Sequence, residues 1–212
     1  LEKLINLAKS NVISLGYVLR QSPCAKFMKK MLDQNKIGKL IEADFYCSSW
    51  LPDWRKGRDY RESVSAKKSL GGGIILEMSH EIDMAIWLLN EIKIIGSFIN
   101  NSNLLEIDSN VEDTALLLGR NKANVAISIR INFCSKNQQR HISINGEKGA
   151  LIWDILKNNV ILRDIKNSEI FETNMLIKDL YRVQLEEFFS NIEKNYYDIS
   201  NLKQGVEVLE LI

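Results

Sequence analysis

Three side chains that can carry protons recur at intervals of three residues within one apolar segment. Glu77, His80 and Asp83 lie in GGGIILEMSHEIDMAIWLL, residues 71–89, and on an α-helix residues three apart share a face. A carboxylate beside a histidine favours the imidazolium, whereas a helix N-terminus disfavours it. The imidazole of His80 could therefore take or give a proton near neutral pH. A hydrogen-bonded or surface histidine without a catalytic role is the alternative, and residue types alone leave both open.

The segment that carries these residues is predicted to be a helix over residues 71–90. Its apolar residues recur at helical spacing, and they comprise Ile75, Met78, Ile82, Ala85, Ile86 and Leu89. Gly71, Gly72 and Gly73 precede the helix, and adjacent glycines allow a backbone to approach a ligand closely. They would also leave the first amides of the helix free to meet an acceptor.

A polar loop over residues 51–70 precedes the glycines. A long loop between strong elements is uncommon unless it binds something or covers a site. Arg55 and Arg58 can pair with carboxylate or phosphate groups. Trp54 and Tyr60 can stack on a sugar ring. The alternative is a solvated loop held by local ion pairs, and residue types do not decide between the two.

The order of elements before this site predicts parallel α/β structure. Residues 1–11 have helical periodicity, and residues 12–20 (VISLGYVLR) are predicted to be a buried strand. Pro23 then begins a second helix that Gly38 ends. A strand over residues 39–50 (KLIEADFYCSSW) follows.

From Val111 onward the pattern changes to period two. In residues 124–132 (NVAISIRIN), apolar and polar residues alternate, which predicts antiparallel strands with one buried face. Residues 93–100 form a further predicted strand, and residues 174–195 and 200–212 are predicted helices. The predicted fold class is α+β, an antiparallel-rich sheet with helices on one face, preceded by a short piece of parallel α/β structure.

Composition excludes several function classes. Lys plus Arg number 28 and Asp plus Glu 27, so a net charge of +1 gives no reason to expect nucleic acid or an anionic membrane as partner. No apolar run is long enough to span a membrane. Cys24, Cys47 and Cys134 lack a CxxC spacing, so we expect reduced thiols and a cytoplasmic location. EMSH differs from HExxH and His141 is distant in sequence, so no metal site is predicted.

Four motifs, in this order, resemble Gfo/Idh/MocA oxidoreductases, the glucose–fructose oxidoreductase and inositol dehydrogenase group. GYVLRQSP at residues 16–23 is similar to the junction between that family's two domains. KIGKLIEADFY at residues 36–46 is similar to the strand that opens its substrate sheet. Residues 71–89 are similar to its GGG-x-x-x-D-x-(G)-x-H-x-x-D motif, and ISINGEKGALIWD at residues 142–154 to its strand–GxxG–strand hairpin. The resemblance extends over essentially all 212 residues.

The resemblance implies a truncated layout. Residues 1–22 would be the last helix and strand of a dinucleotide-binding Rossmann domain. Residues 23–212 would be the substrate-binding and oligomerisation domain, with a fold similar to that of glyceraldehyde-3-phosphate dehydrogenase. The family's GxGxxG loop and its Glu-Lys-Pro motif, which holds a catalytic lysine, are not in this sequence. We therefore expect a piece of a longer protein whose N-terminal domain binds most of the NAD or NADP cofactor.

The resemblance assigns His80 and Glu77 to catalysis, His80 as acid/base and Glu77 as the group that orients substrate or imidazole. Glu77 departs from the family pattern because it replaces an Asp and has one residue fewer between it and the histidine. Asp83 matches the second acid of the motif, and substrate binding and a structural role both stay open for it. The loop residues would contact the substrate, and they are Trp54, Arg55, Arg58 and Tyr60.

Cofactor contacts are implied at two places. Gly71, Gly72 and Gly73 would let the nicotinamide ring or the substrate approach. Tyr17 and Arg20 lie where the family's strand nears the active cleft, although Val18 stands where Asn is common.

The implied function is hydride transfer between a nicotinamide and a sugar, cyclitol or related polyol. This chain alone is expected to be inactive. One alternative is a non-catalytic sugar-binding or dimerisation module, and another is a structural domain that binds no ligand. A sheet with one uncovered face further predicts a homodimer or higher oligomer through that face.

Overall fold

The computed structural model describes Asn6, residues 11–196 and residues 200–212. The predicted first helix therefore lies almost wholly outside the described residues. The strand predicted over residues 12–20 is wrong, because residues 12–17 have no regular structure and Val18–Gln21 form a 3₁₀-helix. A strand requires a hydrogen-bonded neighbour, and no described strand pairs with this segment.

The predicted helix after Pro23 is confirmed as α1, Pro23–Asp33. The side chain of Ser22 caps it by accepting a hydrogen bond from the amide of Cys24 at 3.2 Å. Its buried side packs against the sheet, and Phe27 stacks on Phe171 with ring centroids 4.5 Å apart. Gly38 takes φ 72° after the helix, as a residue without Cβ readily does.

One open sheet of eight strands forms the centre of the described structure, in the order β2-β3-β4-β1-β5-β6-β7-β8. The strands are β1 Leu40–Trp50, β2 Ile92–Asn100, β3 Thr114–Asn121, β4 Ala126–Asn132, β5 Cys134–Gly146, β6 Gly149–Asp154, β7 Asn159–Asp164 and β8 Ser168–Glu172. Neighbours are antiparallel except β1 and β4, which run parallel. The predicted antiparallel-rich sheet is thus confirmed, with one parallel pair that the periodicity did not indicate.

The two faces of the sheet differ in character. On the covered face, cross-strand partners form a buried row of large apolar side chains, namely Leu117, Ile129, Phe45, Ile142, Trp153 and Val160. On the other face, the adjacent row holds Leu118, Ser128, Asp44, Ser143, Ile152, Ile161 and Ile170. We call this second side the open face. Helices cover the first side, as predicted.

The remaining helices are α2 Ile74–Glu77, α3 Ser79–Leu89, α4 Ile177–Glu193 and α5 Ser200–Leu211. The loop of residues 51–70 contains four short 3₁₀-helices, which are Leu51–Asp53, Tyr60–Glu62, Val64–Ala66 and Lys68–Leu70. None of the helices in the described part of the chain combines the length and apolarity that a bilayer crossing requires.

The helix predicted over residues 71–90 is corrected to two helices. Met78 leaves the helical region, with φ −104° and ψ 29°, between α2 and α3. The restart is a tighter turn, since the amide of Glu81 donates to the carbonyl of Met78 at 3.1 Å. The apolar residues keep their helical spacing on both sides of Met78. This spacing reflects which side chains are buried, so it cannot reveal a single residue that departs from helical geometry.

Candidate active site

The glycines before α2 accommodate the chain's own loop. A Cβ added to Gly72 would lie 2.7 Å from the carbonyl oxygen of Ser65, and one added to Gly73 would lie 2.7 Å from Oε2 of Glu112. Gly73 also adopts φ 134°, which side chains rarely tolerate. The preceding loop therefore makes the close approach at Gly72, and Glu112, which lies before β3, makes it at Gly73.

The amides around these glycines are not free, which corrects the sequence prediction. Gly71 donates to the carbonyl of Lys68 at 3.0 Å, and Gly72 donates to Lys67 at 2.9 Å. The first amide of α2, that of Ile74, donates to the carbonyl of Glu112 at 2.9 Å. The loop satisfies the two glycine amides and Glu112 satisfies the amide of Ile74, so both segments are fixed against the helix start.

Glu77 ends α2 and is held by this same loop. Its Oε1 accepts a hydrogen bond from the hydroxyl of Ser65 at 2.8 Å. Ser65 is fully buried whereas Glu77 is half-buried. A buried hydroxyl thus fixes one oxygen of Glu77, and the carboxylate is held at the boundary between loop and helix.

His80 lies in the first turn of α3 and is half-buried. The ring of Tyr17 meets it edge-on, with centroids 5.5 Å apart. Burial lowers the pKa of His80, Glu81 and Glu77 oppose this shift, and Arg140 adds to it. Its Nδ1 is buried and has no hydrogen-bond partner among the described residues. A neutral imidazole is therefore the favoured form at neutral pH, which is the form that can accept a proton.

Asp83 forms a buried ion pair with Arg20. Nε of Arg20 donates to Oδ2 of Asp83 at 2.9 Å, and Nη2 donates to Oδ1. Asp83 is only 1% exposed. Burial raises the pKa of Asp83 to about 6, against the lowering by Arg20. With both carboxylate oxygens engaged, this geometry favours the structural role for Asp83 and ties the segment before α1 to α3.

A second buried ion pair escaped the sequence prediction. Nε of Arg140, on β5, donates to Oε1 of Glu81 at 2.6 Å, and Glu81 is 3% exposed. Burial raises the pKa of the nearby Cys47 thiol to about 12, and the charge of Glu81 adds to this. The sequence did contain one signal for this pair, because Glu81 is a charged residue among the buried positions of α3 and a buried carboxylate requires a partner. Its partner lies 59 positions away, beyond any local pattern.

The loop residues predicted to bind substrate come together in one cavity of about 380 Å³. We call it the loop cavity, and its lining includes Pro52, Trp54, Arg55, Arg58, Tyr60 and Ser65. Ser65 of this wall also bonds Glu77, although neither Glu77 nor His80 itself lines the cavity. Tyr17 and Arg20 instead line a different cavity of about 250 Å³ together with Gln184 of α4.

Metal ligation and disulfide bonding have no support in the described residues. They contain no group of three His, Cys, Asp or Glu side chains placed to hold a metal ion. Cys24 and Cys47 are buried free thiols, and Cys134 is a half-buried one.

Comparison with known proteins places the fold. Residues 29–212 match the model of the Gfo/Idh/MocA oxidoreductase family, C-terminal alpha/beta domain. Inositol 2-dehydrogenases of Salmonella paratyphi B and Salmonella typhimurium are 20% identical over 188 residues, which is 85% of this chain and 51% of theirs. The chain thus spans about half the length of these curated relatives.

Solved structures share the architecture at low sequence identity. Levoglucosan dehydrogenase in complex with NADH and levoglucosan superposes with a TM-score of 0.83 at 15% identity, covering 96% of this chain and 62% of that one. A 3-ketoreductase from Actinomadura kijaniata with NADP and TDP-benzene gives 0.79 at 15% identity, covering 98% and 63%. These likenesses concern the fold, whereas the family match covers most of the sequence. The chain belongs to the Gfo/Idh/MocA oxidoreductase family and carries its C-terminal α/β domain.

Proposed function

We propose that this chain is the substrate-binding portion of a longer NAD- or NADP-dependent oxidoreductase that acts on a sugar, cyclitol or related polyol. Residues 1–22 would complete its dinucleotide-binding domain and residues 23–212 would form the substrate domain. The observation that carries the proposal is the position of His80, an imidazole biased towards its neutral form beside Glu77. Relatives described as inositol and levoglucosan dehydrogenases support the class of substrate.

The described residues do not provide the usual site for the pyrophosphate of a nicotinamide dinucleotide. They contain no glycine-rich turn between a strand and a helix, which is the usual site for the pyrophosphate. We assign that part to the remainder of the longer protein. When bound, the nicotinamide would supply hydride acceptance or donation.

The residues of this chain would manage the substrate and its proton. The neutral imidazole of His80 would accept the proton of the substrate hydroxyl as the carbinol hydrogen departs. Glu77, fixed by Ser65 at 2.8 Å, would orient the substrate or the imidazole. The aromatic wall of the loop cavity would hold the remainder of the sugar ring. The buried ion pairs of Glu81 and Asp83 would hold α3 in place during this step.

We also infer that the protein is a homodimer or higher oligomer that packs through the open face. Leu118 and Ile170 on that face are 44% and 62% exposed, and Ile152 on β6 and Ile161 on β7 belong to the same row. The row is apolar at both ends and is interrupted by Ser128, Asp44 and Ser143 in the middle. Apolar side chains on a sheet face without a covering layer favour association of copies. Free thiols and the absence of a charge bias agree with a cytoplasmic enzyme.

Measuring turnover by the full-length protein distinguishes the proposed oxidoreductase from a non-catalytic sugar-binding module. NAD and NADP would each be supplied with a panel of neutral and acidic sugars and cyclitols, and nicotinamide reduction would be followed by absorbance. We expect one cofactor and one group of substrates to support turnover. Calorimetric binding of a sugar without turnover under either cofactor would instead identify a non-catalytic module. The chain of 212 residues alone is expected to produce no reduced nicotinamide.

A further inference from the structure

Two arginines in the loop cavity lack a carboxylate partner. Arg55 and Arg58 both line the cavity and both are exposed. Within the described part of the chain, neither guanidinium lies within ion-pair distance of an acidic side chain. By contrast, Arg61 in the same loop pairs with Asp59 at 2.7 Å. The loop therefore contains two kinds of arginine. Arg61 holds the loop's own structure, whereas Arg55 and Arg58 line the cavity.

The acidic groups on the cavity wall are already compensated. Hydrogen bonds from Arg61 hold the pKa of Asp59 below its usual range. Arg61 also pairs with Glu106 at 2.9 Å, and Glu62 lies 3.6 Å from Nζ of Lys67. Both carboxylates that line the loop cavity, Asp59 and Glu62, thus have a cationic partner, whereas its two lining arginines have no carboxylate partner in the described part of the chain.

The lining of the cavity also includes two aromatic rings that are held in place. The indole of Trp54 donates to the hydroxyl of Ser49 at 3.0 Å, and its ring meets Phe133 edge-on at 5.9 Å. The hydroxyl of Tyr60 accepts from the amide of Glu106 at 3.1 Å. Because both rings are held by hydrogen bonds, they offer a preorganised surface for the apolar face of a sugar.

We propose that the loop cavity binds an anionic group on the substrate, so that the substrate is a sugar acid or a sugar phosphate and not a neutral polyol. Arg55 and Arg58 would clamp the carboxylate or phosphate by paired hydrogen bonds, which guanidinium groups form readily. The sugar ring would lie on Trp54 and point its reacting carbon towards Ser65, the lining residue that bonds Glu77. This inference rests on the proposed function and narrows its substrate class.

Calorimetry on the full-length protein without cofactor tests the anion site directly. Matched probes are glucose, glucuronate and glucose 6-phosphate, together with galactose, galacturonate and galactose 6-phosphate. We expect at least one anionic member of a series to bind about 10- to 100-fold more tightly than its neutral parent, because charge-assisted hydrogen bonds are strong. Preference for the acid or for the phosphate identifies which anion the site takes. Equal binding across each series, or binding of none, would overturn the inference.

Variants separate a specific clamp from general positive charge. Arg55→Gln and Arg58→Gln should each remove most of the preference for the anion. Lys56→Gln makes the same charge change on an exposed residue that does not line the cavity, and it should shift affinity less than about 3-fold. Equal losses in all three variants would contradict the proposal.

Failure of the inference can be distinguished from failure of the proposed function. Binding is measured without cofactor, and His80→Asn should leave anion affinity within about 3-fold because the clamp lies on the loop. An anion-binding cavity in a protein without turnover would contradict only the proposed reaction. Turnover of neutral sugars at rates equal to their acids would contradict only the anion site.

Discussion

The buried pair of Arg20 and Asp83 is the strongest single link between the segment before α1 and the helix that carries His80. Asp83→Asn would remove the carboxylate that accepts from both Nε and Nη2 of Arg20, so we expect the free energy of unfolding to fall by about 3–5 kcal/mol. The measurement is urea unfolding at about pH 8, where Asp83 is ionised because its pKa is about 6.

A surface pair provides the control for this variant. Asp33 lies 3.2 Å from Lys29 on α1 and is well exposed, so Asp33→Asn should cost less than about 1 kcal/mol. Replacing Arg20 and Asp83 together with Met and Leu should recover much of the loss, because a buried pair can be exchanged for apolar residues. Similar small effects of both single Asp variants would contradict the structural role of Asp83.

Burial lowers the pKa of His80, and the charge of Glu81 opposes this shift. A measured pKa of His80 can therefore test whether Glu81 acts on the imidazole. Glu81→Gln removes that charge and keeps an oxygen that can accept from Arg140. The pKa of His80 should therefore fall further below its ordinary value of 6.5, as followed by NMR titration of the imidazole. Since the neutral imidazole is the proposed base, kcat/KM rises with pH through this pKa, and the acid limb should move to lower pH.

The control for that variant is Glu91→Gln, at an exposed carboxylate 2.5 Å from Lys122. It should leave both the His80 titration and the pH profile unchanged. A higher His80 pKa in Glu81→Gln, or an unmoved acid limb, would show that Glu81 does not act on the imidazole.

At the scale of elements, the start of α2 depends on glycine for two separable reasons. Gly73 combines φ 134° with a Cβ position 2.7 Å from Oε2 of Glu112, whereas Gly71 has φ 85° and open space around its Cβ. Gly71→Ala should therefore cost about 1–2 kcal/mol for left-handed backbone alone. Gly73→Ala should cost more, about 2–4 kcal/mol, because backbone strain and the steric clash add. Equal losses of stability in the two variants, measured by thermal unfolding, would show that the steric clash at Gly73 does not contribute.

Sequence periodicity predicted the elements well where burial has a regular spacing. Ile127, Ile129 and Ile131 alternate because one face of β4 is buried, so period two located the strand. The same pattern cannot tell strand direction, which is why the parallel pairing of β1 and β4 was not predicted. The segment at residues 12–17 is apolar enough for a strand but has no described neighbour to pair with.

The candidate site was predicted in part for a similar reason. His80 and Glu77 followed from local spacing and family resemblance, and the loop residues followed from their chemistry. The pairs Arg20–Asp83 and Glu81–Arg140 join residues 63 and 59 positions apart, so no local pattern contains them. The neutral bias of His80 likewise arises from burial by distant elements, which only the folded chain supplies.

At the scale of the whole molecule, the open face makes a prediction about assembly. Ile161→Lys places a charge between Ile152 and Ile170 in the apolar end of the row, where pairing of copies would bury it at a cost of several kcal/mol. We expect sedimentation velocity to show a dimer or larger species for the wild type and a shift towards monomer for this variant. Ile165→Lys is the matched control, because Ile165 is 90% exposed in the turn between β7 and β8. A monomeric wild type, or equal behaviour of both variants, would contradict assembly through this face.

The central claim is that His80 is the acid/base of a nicotinamide-dependent oxidoreductase. The most direct measurement is kcat of His80→Asn in the full-length protein, with the preferred cofactor and substrate from the turnover panel, beside calorimetric substrate affinity. The account predicts a fall in kcat of about 10²- to 10⁴-fold with little change in affinity, because a positioned base acts mainly in the transition state. A variant that keeps kcat within about 2-fold of the wild type would contradict it.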